Sequence, residues 1–269
     1  MFELLLFATN TEIVKKATHA GVLGFIVDLE NKGKQNRQVN FDTQINQDTI
    51  EDLRRVREST DQAVLCRINS FGPWTRGEIE AAVNAGTDEI FLPMVRTPRE
   101  VLQTLEMIHG RCGLGILVET SEAVECSHQL AQLPLSRVYV GLNDLAISRD
   151  LDNIFISVSD GTVEQVRGQF QVPFGFGGLT LPDLGTPIPC RLLINALLKL
   201  DCQFSFLRRS FYRDIENRDI KIEIPRLLQA IEVARAFPTE TRQEGWRELV
   251  QHIDQSSMGF HTSEKNGAG

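Results

Sequence analysis

Short apolar runs alternate with helix-patterned segments along most of the chain, and this alternation restricts the fold more than any other feature. The runs are Phe2–Ala8, Val22–Glu30, Ala63–Asn69, Glu89–Met94, Gly113–Glu119, Arg137–Gly141, Val172–Gly177 and Phe204–Arg208. Helical spacing recurs between them: Thr11 to Ala20, Thr49 to Ser59, Glu78–Ala85, Pro98 to His109, Ser121–Leu130, Thr162–Arg167 and Cys190–Leu200. Pro225–Ala236 and Glu244–Ile253 close the chain as two more helices. Strands separated by helices pair in parallel through right-handed crossovers. Eight such units predict an α/β fold, a closed (β/α)₈ (TIM) barrel with extra C-terminal helices. An open doubly wound sheet is the alternative. It calls for a glycine fingerprint directly after the first strand, where Ala8-Thr9-Asn10 stands instead.

A length of 269 residues suits such a barrel as one domain. No Pro/Gly/Ser-rich stretch divides it, so the barrel is assigned to 1–255. Residues 256–269 lack apolar periodicity and are expected to form a flexible tail. The net charge of −8 argues against nucleic-acid or anionic-membrane partners, yet a local cationic patch could still take a small acidic substrate. No apolar stretch approaches the roughly 18 residues of a membrane span, and Phe2–Phe7 is too short for a signal peptide. Five cysteines without a CxxC pair argue against a disulfide framework, so a cytoplasmic location is expected.

The charges sit in informative places. In the second strand Leu23, Phe25, Val27 and Leu29 share one face, expected to pack on helices. Gly24, Ile26, Asp28 and Glu30 share the other, which places both acids inside the barrel at the strand's C-terminal end. By the same parity Arg67 and Asn69 point inward from the third strand and Glu119 from the fifth, while Asp144 follows the sixth. Active sites of such barrels lie at this end. A buried carboxylate costs several kcal/mol unless it is paired or metal-bound. Two or three acids converging with one arginine therefore form either a salt-bridge ring or a metal site. The five histidines show no HxxxH or HxH spacing, which leaves no zinc pattern. Oxygen ligands point to Mg²⁺ or Mn²⁺.

At these residues the chain resembles the HpcH/HpaI aldolase and citrate lyase β-subunit superfamily of phosphoenolpyruvate- and pyruvate-binding barrels. The matching pieces are Val27-Asp28-Leu29-Glu30, Cys66-Arg67-Ile68-Asn69, Ala85-Gly86 with Phe91-Leu92-Pro93-Met94-Val95, Val118-Glu119-Thr120 and Gly141-Leu142-Asn143-Asp144-Leu145-Ala146. They occur in the family's order over roughly residues 20–150. The resemblance implies that Glu119 and Asp144 coordinate the metal and that Arg67 contacts the carboxylate or enolate oxygen of a 2-oxo acid. It also implies that Asp28 and Glu30 bond to metal-bound water, and that the protein is a homo-oligomer.

The chain departs from the aldolase branch where that branch carries a catalytic base. Asn31 stands in place of its histidine and Asn84 in place of the partner aspartate. Asparagines cannot accept a proton as that pair does. Lys32, Lys34 and Arg37 match the citrate-lyase branch only loosely. The expected function is thus a metal-dependent carbon–carbon lyase, aldolase-like, acting on a small 2-oxo acid or a related acyl thioester. An acyl-thioester hydrolase or phosphoenolpyruvate-using transferase is the alternative on the same scaffold, and a non-catalytic metabolite-binding barrel the alternative of another class.

Beyond the matched region, Arg208 and Arg209 follow the eighth strand as candidates for a substrate carboxylate or phosphate, beside the glycines Gly175, Gly177 and Gly178; a tight turn at Gly177-Gly178 with salt-bridged arginines is the structural alternative. Phe71-Gly72-Pro73-Trp74 is read as an aromatic wall over the site or an oligomer contact, and 181–189 as a rigid loop near the mouth. Cys66 has the opposite parity to Arg67 and is expected to be a buried thiol facing the helices, and His128 a surface or interface residue.

Overall fold

A computed structural model describes residues 1–32, 48–207 and 209–264, with 257–264 described by backbone alone. Its centre is a parallel, nearly closed, barrel-like sheet of nine strands. These are β1 (Glu3–Phe7), β2 (Gly24–Asp28), β3 (Ala63–Arg67), β4 (Glu89–Leu92), β5 (Gly113–Val118), β6 (Arg137–Val140), β7 (Phe174–Phe176), β8 (Gly178–Leu179) and β9 (Phe204–Leu207). Every pairing is parallel, in the order β7-β6-β5-β4-β3-β2-β1-β9-β8.

The ninth strand corrects the expected count of eight, and glycine is the cause. The run predicted over Val172–Gly177 ends at the expected glycine turn, where Gly177 has a φ of +61 in the left-handed region, and a further short strand follows the turn. The segment before the break pairs with β6 and the segment after it with β9. The two ends of the pairing order are thus neighbours along the chain, which draws the sheet round on itself. Gln203 bridges the seam, its N–H donating to Phe174 O and its side-chain oxygen accepting from Phe174 N–H, both at 2.9 Å. At Gly175 a Cβ would lie 2.4 Å from Phe204 O, so the two backbones approach closer than any larger residue allows.

Strand parity creates two apolar layers. Leu5, Phe7, Ile26, Leu65, Phe91, Leu117, Tyr139, Phe204 and Phe206 fill the barrel interior. Phe25, Val27, Val64, Cys66, Ile116 and Val118 face outward and pack with the helices. The predicted alternation in β2, β3 and β5 is observed, and Cys66 is fully buried on the helix side.

Helix boundaries follow their caps. Asn10 caps helix Thr11–Ala20 through its side-chain oxygen. Thr49 and Thr97 form capping boxes with Asp52 and Glu100, and Pro98 opens its helix. The expected helix from Pro225 begins earlier, as Ile220–Arg235, because Asp219 caps it. Ser121–Leu130 divides into Ser121–Glu125 and Ser127–Leu130. The last helix, Thr239–Glu264, runs into the stretch read as a tail. Among the described residues no helix is long and apolar enough to cross a membrane.

Candidate active site

The C-terminal ends of the strands open into a cavity of about 450 Å³, and Arg67, Glu119 and Asp144 all line it. Each arrives there for a local reason. Arg67 ends β3 with inward parity and is held by Asp28 at the end of β2, directly beside it in register. The fork is two-pronged: Nε donates to Asp28 Oδ1 at 2.8 Å and Nη2 to Oδ2 at 2.7 Å. Glu30 Oε2 stands 3.4 Å from the same Nε, and the guanidinium lies 5.2 Å over the Phe7 ring. Burial opposes the arginine's charge, but Asp28 and Glu30 outweigh it and hold the group protonated well above its usual range. Nη1 makes no hydrogen bond to another described residue.

Glu119 follows β5 and is 4% exposed. Its Oε2 accepts the N–H of Met94 at 3.1 Å. Met94 has φ +54, a conformation uncommon outside glycine, and this bend brings the N–H to the carboxylate. Thr120 fixes the adjacent backbone, its hydroxyl donating to Val95 O at 2.6 Å and accepting from Ala123 N–H at 3.1 Å. Gly141 is demanded by the same carboxylate, since a Cβ there would sit 2.2 Å from Glu119 Oε1. No cationic side chain among the described residues forms an ion pair with Glu119. Its acidity shows the consequence. Burial first, then the negative charges of Asp144 and Glu30, push its pKa up to about 8, against the pull of Arg67 and the Met94 N–H.

Asp144 lies in the first turn of helix Leu142–Ser148, whose Leu142, Leu145 and Ala146 are buried and set the helix against the barrel. Its side chain faces the cavity beside Asn143. Behind Arg67, Asp48 accepts the N–H of Asp28 at 2.9 Å, and burial raises its pKa. Nothing in the sequence pattern singles it out, because it lies in polar loop sequence.

The sequence-predicted residues divide in two. Arg67, Glu119 and Asp144 share the cavity, with Asp28 and Glu30 behind Arg67; Arg209 lines the same cavity. Asn69 is buried but serves the backbone: its side-chain oxygen accepts from Asn31 N–H at 2.9 Å and Lys32 N–H at 2.7 Å, and its amide donates to Glu78 at 2.7 Å. Asn31 is exposed. Asn84 is exposed at the far end of helix Thr75–Asn84, where the chain returns to the start of β4, so the two asparagines do not meet within the chain. Arg208, Lys34 and Arg37 lie outside the described residues.

The aromatic wall expected from Trp74 is absent from this cavity. The Trp74 indole donates to Ser70 O at 2.9 Å and its ring sits 5.0 Å from Lys32 Nζ. Gly185, Thr186, Pro187 and Ile188 supply the wall instead, from the loop after β8. Ser210 and Arg213 were not foreseen. Arg213 is one helical turn beyond Arg209, but that pattern is readable only once helix Arg209–Ile215 is known.

A cation at Glu119 and Asp144 fits the donor set. Both supply oxygen, both face one cavity, and the buried Glu119 carboxylate has no contacting positive charge among the described residues. Among the described residues no group of three or more His, Cys, Asp or Glu side chains gathers, and a two-carboxylate site suits Mg²⁺ or Mn²⁺, which retain bound water. No protein-family model and no curated protein matches the chain.

Proposed function

We propose that the chain is a (β/α)₈ barrel of the HpcH/HpaI aldolase and citrate lyase β-subunit type, a divalent-metal-dependent carbon–carbon lyase acting on a small 2-oxo acid. The convergence of Glu119, Asp144 and Arg67 on one cavity at the strands' C-terminal ends carries this reading. Glu119 and Asp144 would hold Mg²⁺ or Mn²⁺. The cation would supply positive charge where enolate oxygen becomes negative. Arg67 is locked by Asp28 into one orientation, so its Nη1 edge offers donors at a fixed position without reorganisation during reaction. Interior aromatics, chiefly the Tyr139–Phe206 stack with centroids 3.7 Å apart, form an apolar floor that keeps water from the reacting carbons.

Among the described residues none takes the place of the missing histidine. Asn31 is exposed and Asn84 lies at the other end of its unit. Proton transfer is therefore assigned to solvent at the site or to the substrate itself. The exposed asparagine also favours a second reading, a barrel that binds a 2-oxo acid without turning it over.

Deuterium exchange into the methyl group of pyruvate, followed by NMR with Mg²⁺ and with chelator, tests the proposal. The expected result is exchange that needs Mg²⁺ and disappears in Asp144→Asn. Exchange that survives chelation contradicts the metal role. Binding of pyruvate with no exchange in any metal supports the non-catalytic reading instead.

A further inference from the structure

One stretch of the cavity wall cannot hold its shape by itself. Ile154 and Phe155 line the cavity, and they lie between helix Leu142–Ser148 and the four-residue helix Ile156–Ser159. A single helical turn is far too short to be stable alone, and this one begins without a side-chain cap. The conformation of the segment is therefore imposed by what it touches.

Two side chains impose it. Arg149, at the end of the helix that carries Asp144, reaches forward with Nη1, which donates to Ser157 Oγ at 2.9 Å and lies 2.9 Å from Asp160 Oδ2. Asn153 works in two directions. Its side-chain oxygen accepts the N–H of Phe155 at 2.9 Å, which fixes the turn that carries both wall residues. Its amide donates to Ile253 O at 3.2 Å and to Ser256 Oγ at 2.8 Å, both on the last helix, Thr239–Glu264. Ser256 Oγ in turn donates to the same Ile253 O at 2.8 Å, so the three groups close a small ring of hydrogen bonds. Asn153 is only 5% exposed, which shields these bonds from water. Leu249 and Ile253, one helical turn apart and buried, seat this face of the helix on the core.

We propose that the last helix is a strap on the cavity wall, with Asn153 as the positioning residue between them. Docking of the turn 253–256 holds Ile154 and Phe155 in place, and its undocking frees them and opens the cavity on that side. The proposal depends neither on the metal site nor on a particular ligand. It makes the C-terminal helix part of the site, although none of its described residues lines the cavity.

Hydrogen exchange on the full chain, read by mass spectrometry, provides the test with Asn153→Asp and Ser256→Ala. Asn153→Asp keeps an oxygen for the Phe155 N–H but turns an acceptor towards Ile253 O, so it cuts the strap and spares the turn. Exchange in 154–158 is expected to rise by at least about tenfold together with exchange in 250–256, as for a local opening. Strands β1 to β6 should exchange as in the parent, and the buried Cys66 thiol should stay closed to a thiol reagent. Ser256→Ala, which removes one of the two bonds from Asn153 to the helix, should move the same two segments by less. A wall segment that stays slow while the helix end loosens overturns the proposal, as does parent-like exchange in both. Acceleration spread evenly through the barrel, with Cys66 becoming reactive, also overturns it, because Asn153 is then a general stabiliser. Should Asn153→Asp fail to fold, Ser256→Ala decides the matter by the same criteria.

Discussion

The two ends of the barrel handle buried charge in opposite ways. At the N-terminal end Arg137 lies between two acids, with Nη1 3.0 Å from Glu3 and Nε 2.7 Å from Glu89, and Ser136 donates its hydroxyl to Glu89 as well. Burial raises the pKa of Glu89, yet Arg137 pulls directly against it. At the C-terminal end Arg67 is committed to Asp28, and Glu119 is left with a single backbone N–H. One end is a closed plug of contacting charges. The other keeps the Glu119 carboxylate buried without a contacting cation among the described residues, beside a second carboxylate and a cavity. Structure alone gains nothing from that arrangement, and the proposed ion-binding role would account for it.

The largest contrast should come from the arginines. Arg67→Ala leaves Asp28 buried and unpaired, and a loss of about 3–5 kcal/mol is expected by chemical denaturation. Arg137→Ala should cost less, because Glu3 is partly exposed and Glu89 can take up a proton. Arg67→Lys should lower turnover more than stability, since an ammonium cannot reproduce the planar fork. Equal losses of stability from both alanine variants would erase the proposed difference between the ends.

A smaller effect, a few kcal/mol at most, should appear in pH dependence. Glu119 has an ordinary value of 4.5 and a folded value of about 8. A raised value means the folded chain holds an extra proton between those limits. Stability of the metal-free protein should therefore be fully present below pH 4.5 and fall as pH rises towards 8. Glu119→Gln should flatten this decline, measured by urea unfolding across the window. A parent profile that rises over that range contradicts the assignment.

Smaller still, Gly141→Ala should displace Glu119 by forcing a methyl into Oε1. Metal affinity is expected to drop by about 10–100-fold, as for partners that orient a ligand. The variant should unfold close to the parent midpoint. An unaltered affinity would show that Glu119 need not sit where it does.

Much of the C-terminal end was legible because strand parity is a strict period of two. Once β2, β3 and β5 are located, Asp28, Arg67 and Glu119 must share the interior. The turn at Gly177-Gly178 was legible from its paired glycines, but the two-residue strand beyond it was not, since Gly178-Leu179 is too short to show an alternation of its own. The clamp made by Asn69 escaped for a different reason: parity gives the direction of a side chain but not whether backbone N–H groups reach it first. The sequence carries no turn signal between the run Phe204–Leu207 and helix Arg209–Ile215, which hid the pairing of Arg209 and Arg213 on one face. Asp48 needed the loop geometry itself.

The claim on which the account depends is that Glu119 and Asp144 together hold a divalent cation. Mn²⁺ titration followed by EPR, on the parent and on Glu119→Gln, Asp144→Asn and Glu89→Gln, tests it most directly. The account predicts one tight site in the parent and in Glu89→Gln, with affinity reduced by more than about 100-fold in the other two, beyond what loss of an orienting partner causes. Parent-like Mn²⁺ binding in either Glu119→Gln or Asp144→Asn, or no binding by the parent, would contradict it.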